Sequence, residues 1–140
     1  MNKKGEIVVV DDDNDDIEIV AEALKTIDIP NKAIFFNSAD EALAYLRKPD
    51  ADPFLILCDF RMPRINGLEF RQMMYADKQL IKKAVPFILY STTVDSETFN
   101  TALMVGVQGF FVKPSSVDEL SSILRLIFQY CDIAIGNPQL

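Results

Sequence analysis

The sequence predicts an α/β fold, a doubly wound five-stranded parallel sheet with five helices. Three observations lead there. Short β-branched or aromatic runs alternate with longer amphipathic stretches five times along the chain. The runs are apolar at successive positions, as expected of strands covered on both faces rather than one. At 140 residues the chain has the length of one ordinary domain, enough to bury a single core. Strict strand–helix alternation then leaves the helices to lie on the two faces of a parallel sheet.

Ile7-Val8-Val9-Val10 is the first strand. Asn14 is placed to cap a helix whose first turn carries Asp15 and Asp16, acids suited to the positive helix end. Ile17, Val20, Leu24 and Ile27 recur at helical spacing, and Pro30 lies in the loop beyond. Ala33-Ile34-Phe35-Phe36 is the second strand. Ser38 caps a helix that runs through Tyr45 and Leu46 and ends before Pro49. The third strand is Phe54 to Cys58, followed by a loop from Asp59 to Asn66 and a helix around Leu68-Glu69-Phe70. Phe87 to Tyr90 forms the fourth, and Asp95 or Ser96 opens a helix through Phe99, Ala102 and Leu103 to about Val105. Gly109-Phe110-Phe111-Val112 is the fifth. Lys113-Pro114 breaks it, and Ser116 caps a last helix with Leu120, Ile123, Leu124 and Ile127 on one stripe. Leu126 and Phe128 sit beside that stripe, where they cover the core edge or, if exposed together, suit a homodimer contact.

Composition narrows the function. Apolar residues make up 49% of the chain and charged residues 25%, as in ordinary globular domains. No apolar run is long enough to insert in a membrane. The start, Met1 to Glu6, carries Lys3 and Lys4 but only a very short apolar run before the acids, so it reads as no secretory signal and the expected location is cytoplasmic. The two cysteines, Cys58 and Cys131, lie in apolar contexts and histidine is absent. These features exclude most zinc sites and every histidine-based triad or general base. A net charge of −7 argues against direct nucleic-acid binding, which needs a basic footprint. Much of the acid is concentrated in Asp11-Asp12-Asp13-Asn14-Asp15-Asp16.

Reactive groups of open parallel sheets collect at the carboxyl ends of the strands. Asp11 and Asp12 follow the first strand, Asp59 the third, Ser91 and Thr92 the fourth, and Lys113 the fifth. After the second comes the unremarkable Asn37-Ser38. Three carboxylates, hydroxyls and one lysine therefore converge on one edge. Clustered carboxylates repel unless a cation sits among them, and an all-oxygen set suits Mg²⁺. Lysine is a point charge for phosphate, and a hydroxyl donates to a phosphoryl oxygen. A carboxylate is a competent nucleophile for forming an aspartyl phosphate. A calcium loop is the rival reading, since Asp11, Asp13, Asp15 and Glu22 fall on EF-hand spacing. It fails because Asp16 stands where the turn requires glycine and a strand precedes the loop. Asp13, Asp15 and Asp16 read as solvent-facing or helix-start acids rather than ligands.

Four motifs in order resemble the receiver domain of bacterial two-component response regulators, whose topology is flavodoxin-like. They are the acid pair after the first strand, Cys58-Asp59-Phe60-Arg61-Met62-Pro63, Tyr90-Ser91-Thr92, and Gly109-Phe110-Phe111-Val112-Lys113-Pro114. The resemblance runs from Ile7 to about Tyr130. It implies that Asp59 is the phosphoacceptor and that Asp12 ligates Mg²⁺ directly, with Asp11 acting through water or more weakly. The backbone carbonyl of Arg61 would complete the metal site, Ser91 would bond the phosphoryl group and Lys113 would pair with it. Phe110 occupies the position of an aromatic switch.

The whole chain, residues 1–140, is expected to form a single stand-alone receiver, with a core from about 6 to 130 and a short tail over 132–140. Its phosphoryl donor would be a histidine kinase or histidine phosphotransfer protein, and its output a contact with a downstream protein through the fourth helix, fifth strand and last helix. It would be no enzyme beyond its own Mg²⁺-dependent autophosphorylation and autodephosphorylation. The alternative is a phosphorylation-independent interaction module on the same fold, against which the intact acids, Ser91 and Lys113 speak. A flavin binder would need a phosphate-cradling loop where five acids stand within six positions. A phosphohydrolase would need a second acid two residues after Asp59, where Arg61 lies.

Overall fold

The computed structural model describes residues 2–134. The chain forms β1 (Ile7–Val10), α1 (Asn14–Thr26), β2 (Ala33–Phe36), α2 (Ala39–Leu46), β3 (Leu55–Asp59) and α3 (Gly67–Ala76). It continues with α4 (Lys78–Ile81), β4 (Phe87–Ser91), α5 (Ser96–Met104), β5 (Gly109–Val112) and α6 (Val117–Ile133). All five strands are parallel, in the order β2-β1-β3-β4-β5.

Alternating side chains on the strands build two separate cores. Val8, Val10, Ile56, Cys58, Phe87 and Leu89 face α2, α3 and α5. Ile7, Val9, Leu55, Leu57, Ile88 and Tyr90 face α1 and α6. Phe110 and Phe111 divide between the two in the same way, as strand alternation requires. The central strands β1, β3 and β4 are buried throughout, whereas the edge strands β2 and β5 are only half covered.

Among the described residues there are six helices, where the sequence expectation has five. Asp77 takes an extended conformation (φ −96°, ψ 111°), ends α3, and caps a separate four-residue turn by accepting from the N–H groups of Gln79 and Leu80. Four residues are too few to show a helical period, so the sequence carries no signal for α4. The cap of α1 is Asp13, not Asn14, with its carboxylate accepting from the N–H of Asp15 at 2.9 Å. In a run of Asp and Asn every residue is a competent cap, and periodicity does not choose among them. Ser38, Asp95 and Ser116 cap as expected, and α3 opens on a capping box between Asn66 and Glu69. The anticipated pair on α6 is split. Phe128 is buried in the core, while Leu126 is exposed beside Tyr130 and Ile133. Residues 135–140, most of the expected tail, lie outside the described residues.

Candidate functional site

The sheet order places β1 beside β3, while their connections leave toward opposite edges. That divergence opens a crevice at the carboxyl ends of these two strands. Val10 is in register with Cys58 and Asp59 with Tyr90, which brings Asp11, Asp59 and Tyr90 level across three neighbouring strands. Strands β3 and β4 each run one residue further than the sequence suggests. Asp59 and Ser91 are thus the final residues of their strands, fixed by sheet hydrogen bonding rather than carried on loops.

Asp11, Asp12 and Asp59 each present a carboxylate oxygen within 4.8 Å of the others. Asp11 is fully buried and Asp59 is 3% exposed, while Asp12 faces solvent. Both oxygens of Asp11 are engaged. Oδ1 accepts from the N–H of Asp13 at 3.0 Å, and Oδ2 accepts from the Tyr90 hydroxyl at 2.9 Å. Asp59 Oδ1 accepts from the N–H of Arg61 at 3.3 Å and lies 3.3 Å from the ammonium of Lys113. Lys113 Nζ is also 3.8 Å from Asp11 and donates to Asp16 Oδ2 at 2.7 Å.

Burial is the main force on these groups. It pushes Asp11 from the ordinary 3.8 to about 7, aided by the charge of Asp59 and opposed by the Asp13 N–H, Lys113 and Tyr90. Burial also raises Asp59, against the pull of Lys113 and the Arg61 N–H. For Lys113 burial works downward, but Asp16, Asp11 and Asp59 outweigh it and hold the ammonium above its ordinary 10.5. The cluster is thus short of positive charge. Three oxygen donors converging there, with no nitrogen or sulfur, fit a hard divalent cation.

Ser91 supplies a second sign of an incomplete site. Its Oγ is fully buried and has no hydrogen-bond partner among the described residues. Leaving a buried hydroxyl unpaired costs about 1–3 kcal/mol, an expense consistent with a donor kept for an incoming oxygen. At the mouth, the Arg61 guanidinium donates to Thr93 Oγ1 at 3.0 Å and stacks over the Phe60 ring. Phe110 is half-buried with its ring 6.0 Å from that of Phe60.

Asp11, Asp12, Asp59 and Lys113 are therefore brought together, with Arg61 bound to Asp59 through its N–H and Ser91 level with Val112, one residue before Lys113. Sequence reasoning missed two participants. Tyr90 enters the sequence reading as strand and as part of the Tyr90-Ser91-Thr92 motif but with no role of its own, although alternation makes it a polar tip on the α1–α6 side. Asp16 reads from the sequence as a solvent-facing or helix-start acid; it does lie in the first turn of α1, but nothing in the sequence relates that turn to the end of β5.

A family model described as the response regulator receiver domain matches residues 7–125. The chain is 30% identical over 132 residues to the chemotaxis protein CheY-3 of Vibrio cholerae, covering 92% of this chain and 95% of that protein. Among solved structures, the phosphorylated cyanobacterial phytochrome response regulator RcpA superposes with a TM-score of 0.82 at 25% identity. That match covers 96% of this chain and 99% of that one. A two-component response regulator from Legionella pneumophila gives 0.73 at 25% identity, over 90% and 98% of the two chains. No helix among the described residues is long and apolar enough to cross a membrane. Fold, acidic cluster and family match agree, and the chain belongs to the response regulator receiver domain family.

Proposed function

We propose that this receiver takes a phosphoryl group onto Asp59 from a histidine kinase or histidine phosphotransfer protein in the cytoplasm, and signals through its own surface. One Asp59 carboxylate oxygen attacks phosphorus. The P–N bond of the donor phosphohistidine breaks, and the imidazole leaves with the bonding electron pair. A Mg²⁺ ion held by Asp11, Asp12, Asp59 and the backbone carbonyl of Arg61 would supply charge neutralisation at the phosphoryl oxygens. Lys113 pairs with a phosphoryl oxygen, and the unpartnered Ser91 hydroxyl donates to another. The observation that carries this reading is the buried carboxylate of Asp59 set 3.3 Å from Lys113, beside the orphan hydroxyl of Ser91.

Phosphorylation adds about 1.5 to 2 negative charges. Drawing Ser91 and Lys113 toward them moves the ends of β4 and β5, and Phe110 is placed to follow the vacated space. The surface that moves is that of α5, β5 and α6, which exposes Leu103, Met104, Val112, Leu126 and Tyr130. Exposed apolar side chains on these three elements suit a protein partner, either a downstream target or a second copy. Full reversal of a two-state balance takes about 5.5 kcal/mol of differential binding.

The test is intact-mass measurement after incubation with acetyl phosphate and Mg²⁺, beside Asp59→Asn and a magnesium-free control. A single phosphate adduct, lost in both controls, is expected. No adduct in any sample, with beryllofluoride failing to perturb the fold, would replace this reading with the phosphorylation-independent interaction module.

A further inference from the structure

Lys113 is bound more closely by a residue outside the acid triad than by any member of it. Its ammonium donates to Asp16 Oδ2 at 2.7 Å, against 3.3 Å to Asp59 and 3.8 Å to Asp11. Asp16 is the third residue of α1, counted from its first helical residue, Asn14. An acid there ordinarily reaches back to the N–H of the capping residue. That route is closed here, because the Asp13 N–H already donates to Asp11 Oδ1 at 3.0 Å. The Asp16 carboxylate is left to cross from the first turn of α1 to the end of β5 and hold Lys113. The lysine side chain is 18% exposed and that of Asp16 is 31% exposed, and the ammonium lies 5.2 Å from the centre of the Tyr90 ring. Water screens this pair only in part.

We infer that Asp16 is a positioning residue for the phosphoryl chemistry, a second anchor that divides the charge of Lys113 between itself and the acceptor. The inference rests on the proposed receiver function and concerns how strongly the phosphoryl group is held once formed. While Asp59 is unmodified, Asp16 draws the ammonium toward α1 and weakens its hold on the acceptor carboxylate, leaving room for a cation among Asp11, Asp12 and Asp59. Once Asp59 carries a phosphoryl group, the same carboxylate competes with the phosphoryl oxygens for Lys113. Asp16 thereby favours metal entry and shortens the life of the modified state.

Asp16→Asn keeps the shape and an acceptor oxygen but removes the competing charge. Asp15→Asn is the control, since it removes one charge a residue away. The side chain of Asp15 makes no hydrogen bond or ion pair among the described residues. Against that control, Asp16→Asn is expected to bind beryllofluoride about two- to five-fold more tightly and to lengthen the phosphoryl half-life by a similar factor. Its Mg²⁺ affinity should fall by about the same factor. Asp16→Glu, with the charge restored, should return toward wild type, and urea midpoints report that all variants fold. Asp16→Asn values equal to those of Asp15→Asn would overturn the inference while leaving the receiver function standing. A wild-type chain that takes up neither phosphoryl group nor beryllofluoride would overturn both.

Discussion

Removing the proposed phosphoacceptor should make this protein more stable when no divalent cation is present. Asp11 is fully buried and Asp59 nearly so, and the two carboxylates share one partly solvated lysine. Moving Asp11 from 3.8 to about 7 places about 4 kcal/mol on its charged form at pH above 7. Burial accounts for the largest part and the charge of Asp59 for a smaller one. Asp59 bears a burden of the same sign. Asp59→Asn deletes one charge of the pair and keeps a hydrogen-bond acceptor, while Lys113 retains Asp16 and Asp11. The net gain should be about 1–2 kcal/mol, a fraction of the full penalty because burial of Asp11 persists. A carboxyl whose pKa is higher folded than unfolded binds more protons in the native state, so its ionisation destabilises the fold. Wild-type stability in EDTA should therefore decline as pH rises from about 4 to about 7, and the variant should decline less. Urea unfolding in EDTA at both ends of that window measures the difference, and added Mg²⁺ should stabilise the wild type preferentially. An Asp59→Asn variant no more stable than wild type in EDTA at pH about 8 would refute this account of the acidic cluster.

Three further outcomes test the packing that holds the site in place. Gly106 has φ +78°, and an added Cβ would stand 2.8 Å from Nη2 of the buried Arg71, whose Nε donates to the Val105 carbonyl at 2.7 Å. Gly106→Ala should cost about 1–3 kcal/mol by urea unfolding, and an unchanged midpoint would show that the turn relaxes freely. Leu124 is fully buried between α6 and the sheet, so Leu124→Ala should cost about 2–5 kcal/mol, visible as a lowered melting temperature. Asn66→Ala removes the side-chain half of the capping box and should cost about 1 kcal/mol, read from the urea midpoint.

The sheet and the acid edge were legible because their signals are local. Four β-branched residues in Ile7–Val10, or the aromatic pair in Gly109–Val112, specify a strand without knowledge of what packs on it. Strand order then carries their carboxyl ends to one place. What the sequence hid depends on contacts between distant segments. Asn37 looked inert, yet its Nδ2 donates to Asn14 Oδ1 at 3.0 Å and to the Asp11 carbonyl at 3.4 Å, clamping the loop after β1. Lys83 donates to the carbonyls of Leu46, Lys48 and Ala51 at and beyond the end of α2, a role that no local pattern signals. Asp16 and Tyr90 belong to the same class, since each role exists only once two strands or a helix and a strand are side by side. Leu126 and Phe128, two residues apart on α6, met opposite fates because an interval of two turns a helix by more than half a circle.

The half-covered state of β5 has a mechanical consequence. Among the described residues it has a neighbour on one side only, and three of its four residues are half-buried, the fourth exposed, while β3 is held from both sides and fully covered. Asp59 thus rides on a stiff, doubly paired strand and Lys113 is tethered to a more compliant edge strand. A change in charge at the rigid end works against a spring at the other, so displacement should fall mainly on β5 and the helices flanking it, with only the end of β4 following. Backbone amides of β5 should exchange with solvent deuterium well before those of β3, and the difference in their opening energies would measure the stiffness ratio on which such a lever depends.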